Sequence, residues 1–169
     1  MGAVASVAQT ASDAQVPPAI GRVDLHHHFY ATTPLMKKFT ADLPYPGPIF
    51  AYTAARSLEA MEQADVSTAM LSCPMTFGDD PAAVRQDARV FAREMNEYGA
   101  KLVSDHRGRF GLFAMLPLPD IDASLREIEY AFDTLGADGV GLATSYGRQW
   151  LGDDGFDAVN FGPSSGRMR

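Results

Sequence analysis

The sequence predicts an α/β fold, the opening part (about four βα units) of a TIM (β/α)8 barrel, and three observations point there. Short apolar runs at Arg22–His28, Val66–Ser72, 109–118 and 139–144 have the length and composition of strands. Between them, apolar residues recur every three or four positions, as in amphipathic helices long enough to cross over a sheet. That alternation predicts a parallel sheet covered by helices. A doubly wound sheet starts the same way, so the third observation decides. His26 and His28, Ser72-Cys73-Pro74, Pro117-Leu118-Pro119 and Thr144-Ser145-Tyr146 all fall where a predicted strand runs out. Barrels gather their functional groups at those C-terminal ends. No G-x-G-x-x-G follows the first strand and there is no P-loop, so nothing favours a nucleotide-binding sheet.

Each element has a local cause. Residues 1–20 are rich in Ala, Ser, Val and Gln with no positive n-region, which reads as a flexible leader. The other reading is the end of an incomplete signal peptide, which would direct the chain to the periplasm or outside. Pro17-Pro18 stiffens the approach to the first strand. Pro34, Pro44, Pro46, Gly47 and Pro48 make 31–52 mostly loop, with one short helix around 35–39. Ser57 is placed as an N-cap, with Leu58, Met61 and Ala64 on one helical face. Asp79 or Asp80 before Pro81 starts a long helix striped by Val84, Ala88, Phe91, Met95, Tyr98 and Leu102. A further stripe, Leu125, Ile128, Phe132 and Leu135, is capped by Asp120 or Asp122 and stopped at Gly136. Met61, Met95 and Met115 fall on apolar faces and are assigned to the core.

Bulk properties exclude several classes. A chain of 169 residues suits one domain. The net charge of −7, with a pI near 4.9 and no Lys/Arg cluster, argues against nucleic acid and anionic membranes as partners. Cys73 alone cannot form an internal disulfide and fits a reducing cytoplasm. No apolar run is long enough to span a bilayer.

The chemistry concentrates in Asp24-Leu25-His26-His27-His28. Side chains alternate along a strand, so His26 and His28 share a face with Cα atoms roughly 7 Å apart. Two imidazoles so placed can reach one divalent cation, and Zn²⁺ accepts neutral His nitrogens. His27 points to the opposite face, toward the helices. Asp24 is expected as an outer-shell carboxylate that orients the site. His106 suits a helix C-terminus as a cation, Cys73 reads as a small buried thiol, and Trp150 is expected to pack.

Three blocks resemble the amidohydrolase superfamily, in its aminocarboxymuconate-semialdehyde decarboxylase-like branch. They are Val23-Asp24-Leu25-His26-His27-His28-Phe29, the run from Arg109 through Met115-Leu116-Pro117 to Asp120, and Leu135-Gly136-Ala137-Asp138-Gly139-Val140-Gly141-Leu142. The resemblance extends from about Arg22 to Val159, giving a leader over 1–20, a partial barrel over 21–159 and a non-family tail over 160–169. It implies a (β/α)8 barrel holding one divalent metal, Zn²⁺ or Mn²⁺, with His26 and His28 as ligands. It further implies carbon–carbon lyase chemistry on aromatic or unsaturated carboxylic acids, with hydrolysis of amides or lactones as the alternative. Ser72, Ser145 and Tyr146 are expected to line the pocket for that small acid. The family's later ligands and its catalytic His find no positions here, and 160–169 reads as out of frame or a premature end. The expectation is therefore a half-barrel, impaired in activity, that self-associates or pairs with a separate C-terminal half, or serves as a non-catalytic partner module.

Overall fold

The computed structural model describes residues 21–41, 51–77 and 82–161. The leader, the prolines at 44, 46 and 48, the helix start signal at 79–81 and the tail from 162 onward lie outside the described residues. Four strands form one sheet: β1 (Arg22–His28), β2 (Val66–Ser72), β3 (Phe110–Met115) and β4 (Gly139–Gly141). They run parallel in the order β1-β2-β3-β4. Consecutive order separates the two architectures the alternation permits. A doubly wound sheet reverses direction at a switch point, whereas a barrel adds each strand beside the last. Curvature agrees. A Cβ built on Gly141 would sit 3.8 Å from the Cβ of Ser72, although β3 runs between their strands. Side chains of alternate strands meet in this way inside a barrel.

The convex face of the sheet carries the core. Ala69 and Leu71 of β2 and Phe110, Leu112 and Ala114 of β3 are buried in one cluster with helix residues. Those include Met61 of α2 (Ala54–Gln63) and Ala88, Phe91, Ala92 and Met95 of α3 (Ala82–Asp105). The long stripe thus forms as expected from Ala88 to Leu102, with Tyr98 packed at its margin. Met61, Met95 and Met115 are buried. A short α1 (Pro34–Phe39) is capped by Thr33 and closes the cluster with Met36.

Several expectations need correction. The N-cap of α2 is Thr53, whose side-chain oxygen accepts from the Arg56 N–H; Ser57 lies inside the helix and is buried. β3 stops at Met115 and not at 118, because Pro117 and Pro119 have no N–H for a ladder. α4 (Ile121–Tyr130) is capped by Asp120 and continues as a π-helical turn, Ala131–Leu135, ended by Gly136 at φ 68°. Its buried side is Ala123, Ser124, Glu127 and Ala131, while Phe132 of the expected stripe is 44% exposed. A polar network turns α4 this way. Arg93 of α3 donates to both oxygens of Glu127 at 2.8–3.2 Å. The Asn96 amide donates to Glu127 Oε1 at 2.8 Å and to the Met115 carbonyl at 2.9 Å, and its oxygen accepts the Met115 N–H at 2.7 Å.

β4 ends at Gly141 instead of 144. The chain there turns into a hairpin, β5 (Ser145–Tyr146) and β6 (Gln149–Trp150), whose Tyr146 hydroxyl accepts the Ala143 N–H at 2.9 Å. Leu116, Leu118, Tyr146 and Phe156 form a second cluster beneath it. A final helix, α5 (Asp157–Phe161), extends into the segment expected to leave the family pattern. No helix among the described residues is long and apolar enough to cross a membrane.

Candidate metal centre

β1 is not a regular strand. Asp24 pairs with Ala69 and His27 with Leu71, so three steps on β1 oppose two on β2. One extra residue, a β-bulge, is held between them. Because Ala69 and Leu71 face the helices, Asp24 and His27 do too. The Asp24 carboxylate stabilises the bulge by accepting the His26 N–H at 3.0 Å, an aspartate bonding its own backbone two residues on. Its other oxygen lies 3.0 Å from His27 Nδ1. On the far side of that ring, Nε2 lies 2.8 Å from Ser57 Oγ. A carboxylate can only accept, so Nδ1 carries a proton; in the neutral ring Nε2 then accepts the Ser57 hydroxyl. These bonds hold the Asp24 carboxyl below its ordinary range, the His26 N–H first and the His27 ring second, against a smaller opposing effect of burial.

His26 and His28 project to the other, concave side. Their ring centroids are 4.7 Å apart and tilted by 43°. His28 stands in register with Ser72 at the end of β2, and the Ser72 carbonyl accepts the next backbone N–H, that of Phe29, at 3.1 Å. His26 is exposed and His28 half-buried. Burial lowers the His28 pKa, His26 and His27 add to the shift, and Asp24 opposes it. The neutral imidazole so favoured is the form that ligates a metal.

The structure brings together His26, His28 and Ser72, and gives the other expected site residues partners of their own. Asp24 orients the bulge and His27, on the face away from the two rings. Tyr146 is 4% exposed in the second cluster, its ring 5.8 Å from Phe156, so it is a core residue of the hairpin. Ser145 pairs with Trp150 across that hairpin. Trp150 is 60% exposed, contrary to the packing expected of it. His106 follows α3 directly and meets Phe110 edge-on at 5.8 Å. Cys73 is half-buried, and burial pushes its thiol up to about 12. Sequence reasoning missed Ser57, which it read as a cap; the only cue was the odd spacing of Asp24 and His27.

The donor set fits a metal only in part. Two imidazoles converge, yet among the described residues no group of three or more His, Cys, Asp or Glu is arranged to hold a metal ion.

Comparison with known proteins agrees with this frame. The amidohydrolase family matches residues 23–162, and the chain belongs to it. It is 38% identical over 140 residues to decarboxylase yanB of Aspergillus niger, covering 80% of this chain and 38% of the relative. It is 35% identical over 146 residues to 6-methylsalicylic acid decarboxylase of Penicillium expansum, covering 83% of this chain and 44% of the relative. The chain thus spans less than half the length of these curated relatives. A dihydroxybenzoic acid decarboxylase from Polaromonas, solved with manganese and the inhibitor 2-nitroresorcinol, superimposes with a TM-score of 0.60. That likeness, at 24% identity over 75% of this chain and 39% of the other, supports the barrel fold.

Proposed function

We propose that this chain supplies the metal-binding first half of a carboxy-lyase that removes CO₂ from hydroxylated aromatic acids. The observation that carries the reading is the pairing of His26 and His28 on the concave face, beside Ser72, at the C-terminal end of β1. The decarboxylases at 35–38% identity favour this chemistry over amide or lactone hydrolysis, which the same pair would serve.

His26 and His28 would hold one divalent cation. Manganese is the first choice because a protein of similar fold was solved with it, and zinc the second because imidazole accepts both. Such a cation, when bound, supplies Lewis acidity and gathers the substrate carboxylate and its neighbouring hydroxyl. The chain's own residues shape the rest. Ser72, in register with His28, would offer its hydroxyl to a substrate oxygen. Gly141 has no side chain at the point where a Cβ would meet the Cβ atoms of Ser72 and Phe113, both at 3.8 Å. Residues 21–159 act as the structural unit that presents these groups. Catalytic metal sites generally use three protein ligands, so a further donor would complete the set that His26 and His28 begin.

The test is decarboxylation of 6-methylsalicylate with Mn²⁺, followed by chromatography. The protein is assayed alone and mixed with the C-terminal half of the Aspergillus niger relative. Turnover in the mixture that disappears in His26→Ala supports the reading. Turnover indifferent to His26→Ala and His28→Ala, or none in the mixture, overturns it.

A further inference from the structure

We infer that Ser57 and His27 form a register lock that decides how many imidazoles reach the concave face. The inference rests on the metal-binding reading of His26 and His28, and makes His27 and Ser57 positioning residues for that pair.

The argument begins with a degeneracy. Residues 26, 27 and 28 are chemically identical, so the strand's own side chains cannot tell one register from the next. A slip of one residue exchanges the faces of every side chain on a strand. In the observed register His26 and His28 face the concave side and His27 the helices. After a slip, His27 would stand alone on the concave side with its two neighbours turned to the helices. Two donors would become one.

Burial of Phe29, the residue after His28, anchors the C-terminal end of the strand. It does not say where between Asp24 and Phe29 the extra residue sits, and moving that residue has the same effect on the histidines. Val23 and Leu25 of β1 are 52% and 65% exposed, so neither is anchored by burial. What fixes the bulge between those ends is a chain of three polar contacts. Asp24 accepts the His26 N–H and holds the bulge, Asp24 also bonds His27 Nδ1, and Ser57 meets His27 Nε2 at 2.8 Å. Ser57 is the one member outside β1, carried on α2, and is buried. It ties a strand-edge side chain to a packed helix. A bulge is already a place where pairing is interrupted, so the outside tether settles which histidine turns inward.

The experiment titrates Co²⁺ into the full chain and follows both the visible absorption of the bound ion and the imidazole NMR signals. In the wild type, Co²⁺ should broaden the His26 and His28 ring signals strongly and His27 weakly. Ser57→Ala should weaken Co²⁺ binding roughly tenfold, as for other residues that orient ligands from outside the coordination shell. It should also split the histidine signals into two sets. Ser57→Thr, which keeps the hydroxyl, should restore both readouts. Were Ser57→Ala to keep its far-UV circular dichroism and bind Co²⁺ within twofold of wild type, the lock would be wrong while the metal reading stood. If Ser57→Ala does not fold, the wild-type spectrum still decides, because equal broadening of all three rings overturns the lock. Co²⁺ binding that His26→Ala leaves unchanged would instead overturn the metal reading itself.

Discussion

Asp24 and His27 lie three residues apart on β1 and yet hydrogen-bond on one face of it, carboxylate Oδ2 to imidazole Nδ1 at 3.0 Å. In a regular strand an odd separation puts two side chains on opposite faces. The extra residue between them makes the contact possible, and the contact in turn holds the extra residue in place. The two pairs are thereby divided between the faces of one strand. Asp24 and His27 face the helices and serve the fold, while His26 and His28 face inward with their rings side by side.

Glu127 should matter more than its partner Arg93. The carboxylate is buried and receives bonds from Arg93 and Asn96, whereas the Arg93 side chain is 39% exposed and rests on the Tyr130 ring. Glu127→Ala should cost about 2 kcal/mol, within the range for hydrogen bonds to a charged group. Arg93→Ala should cost less, because water partly replaces it. Urea unfolding of both variants checks the order.

Asp120 should make stability fall in acid. Burial opposes its charge, but the Arg89 guanidinium and the Ala123 N–H outweigh that and hold its pKa below the ordinary value. A carboxyl whose folded pKa is depressed contributes stability above its unfolded pKa, near 3.9, and loses it as pH falls through the lower folded value. Asp120→Ala should remove this contribution along with the helix cap, about 1 kcal/mol at neutral pH. It should also flatten the melting-temperature profile below about pH 4.

Cys73 should resist alkylation until the protein unfolds. Burial pushes its thiol up to about 12, so at pH 8 almost none is thiolate, the reactive form. Iodoacetamide labelling should be at least roughly a hundredfold slower in buffer than in denaturant. The same shift makes the folded state lose stability as pH rises beyond about 8.5, because the unfolded thiol ionises first. Equal labelling rates in both conditions would refute this.

Much of the fold is legible in the sequence. The stripe from Ala88 to Leu102 buries as its spacing requires, and Asp120 and Gly136 bound their helical segment where cap chemistry puts them. What the sequence hides is set by tertiary partners. Glu127 is drawn inward by Arg93 and Asn96 from another helix, which rotates α4 away from its apolar stripe. Tyr146 sits at a strand end, where barrels keep pocket residues, but its hydroxyl is taken by Ala143 and its ring by Phe156. Of the candidate site, alternation alone puts His26 and His28 together. The bulge beneath them depends on Ser57, thirty residues away, and no local pattern announces it.

The carboxamide of Asn96 does for the last residue of β3 what a neighbouring strand does for the others, meeting both the N–H and the C=O of Met115. A ladder can shift by whole residues, but a single side chain rooted in a helix has only one height at which both bonds close. The rim of the arc is therefore pinned to the shaft of α3 at that point. Any displacement of the rim has to begin beyond Met115, since two bonds to one helix side chain resist sliding of the strand.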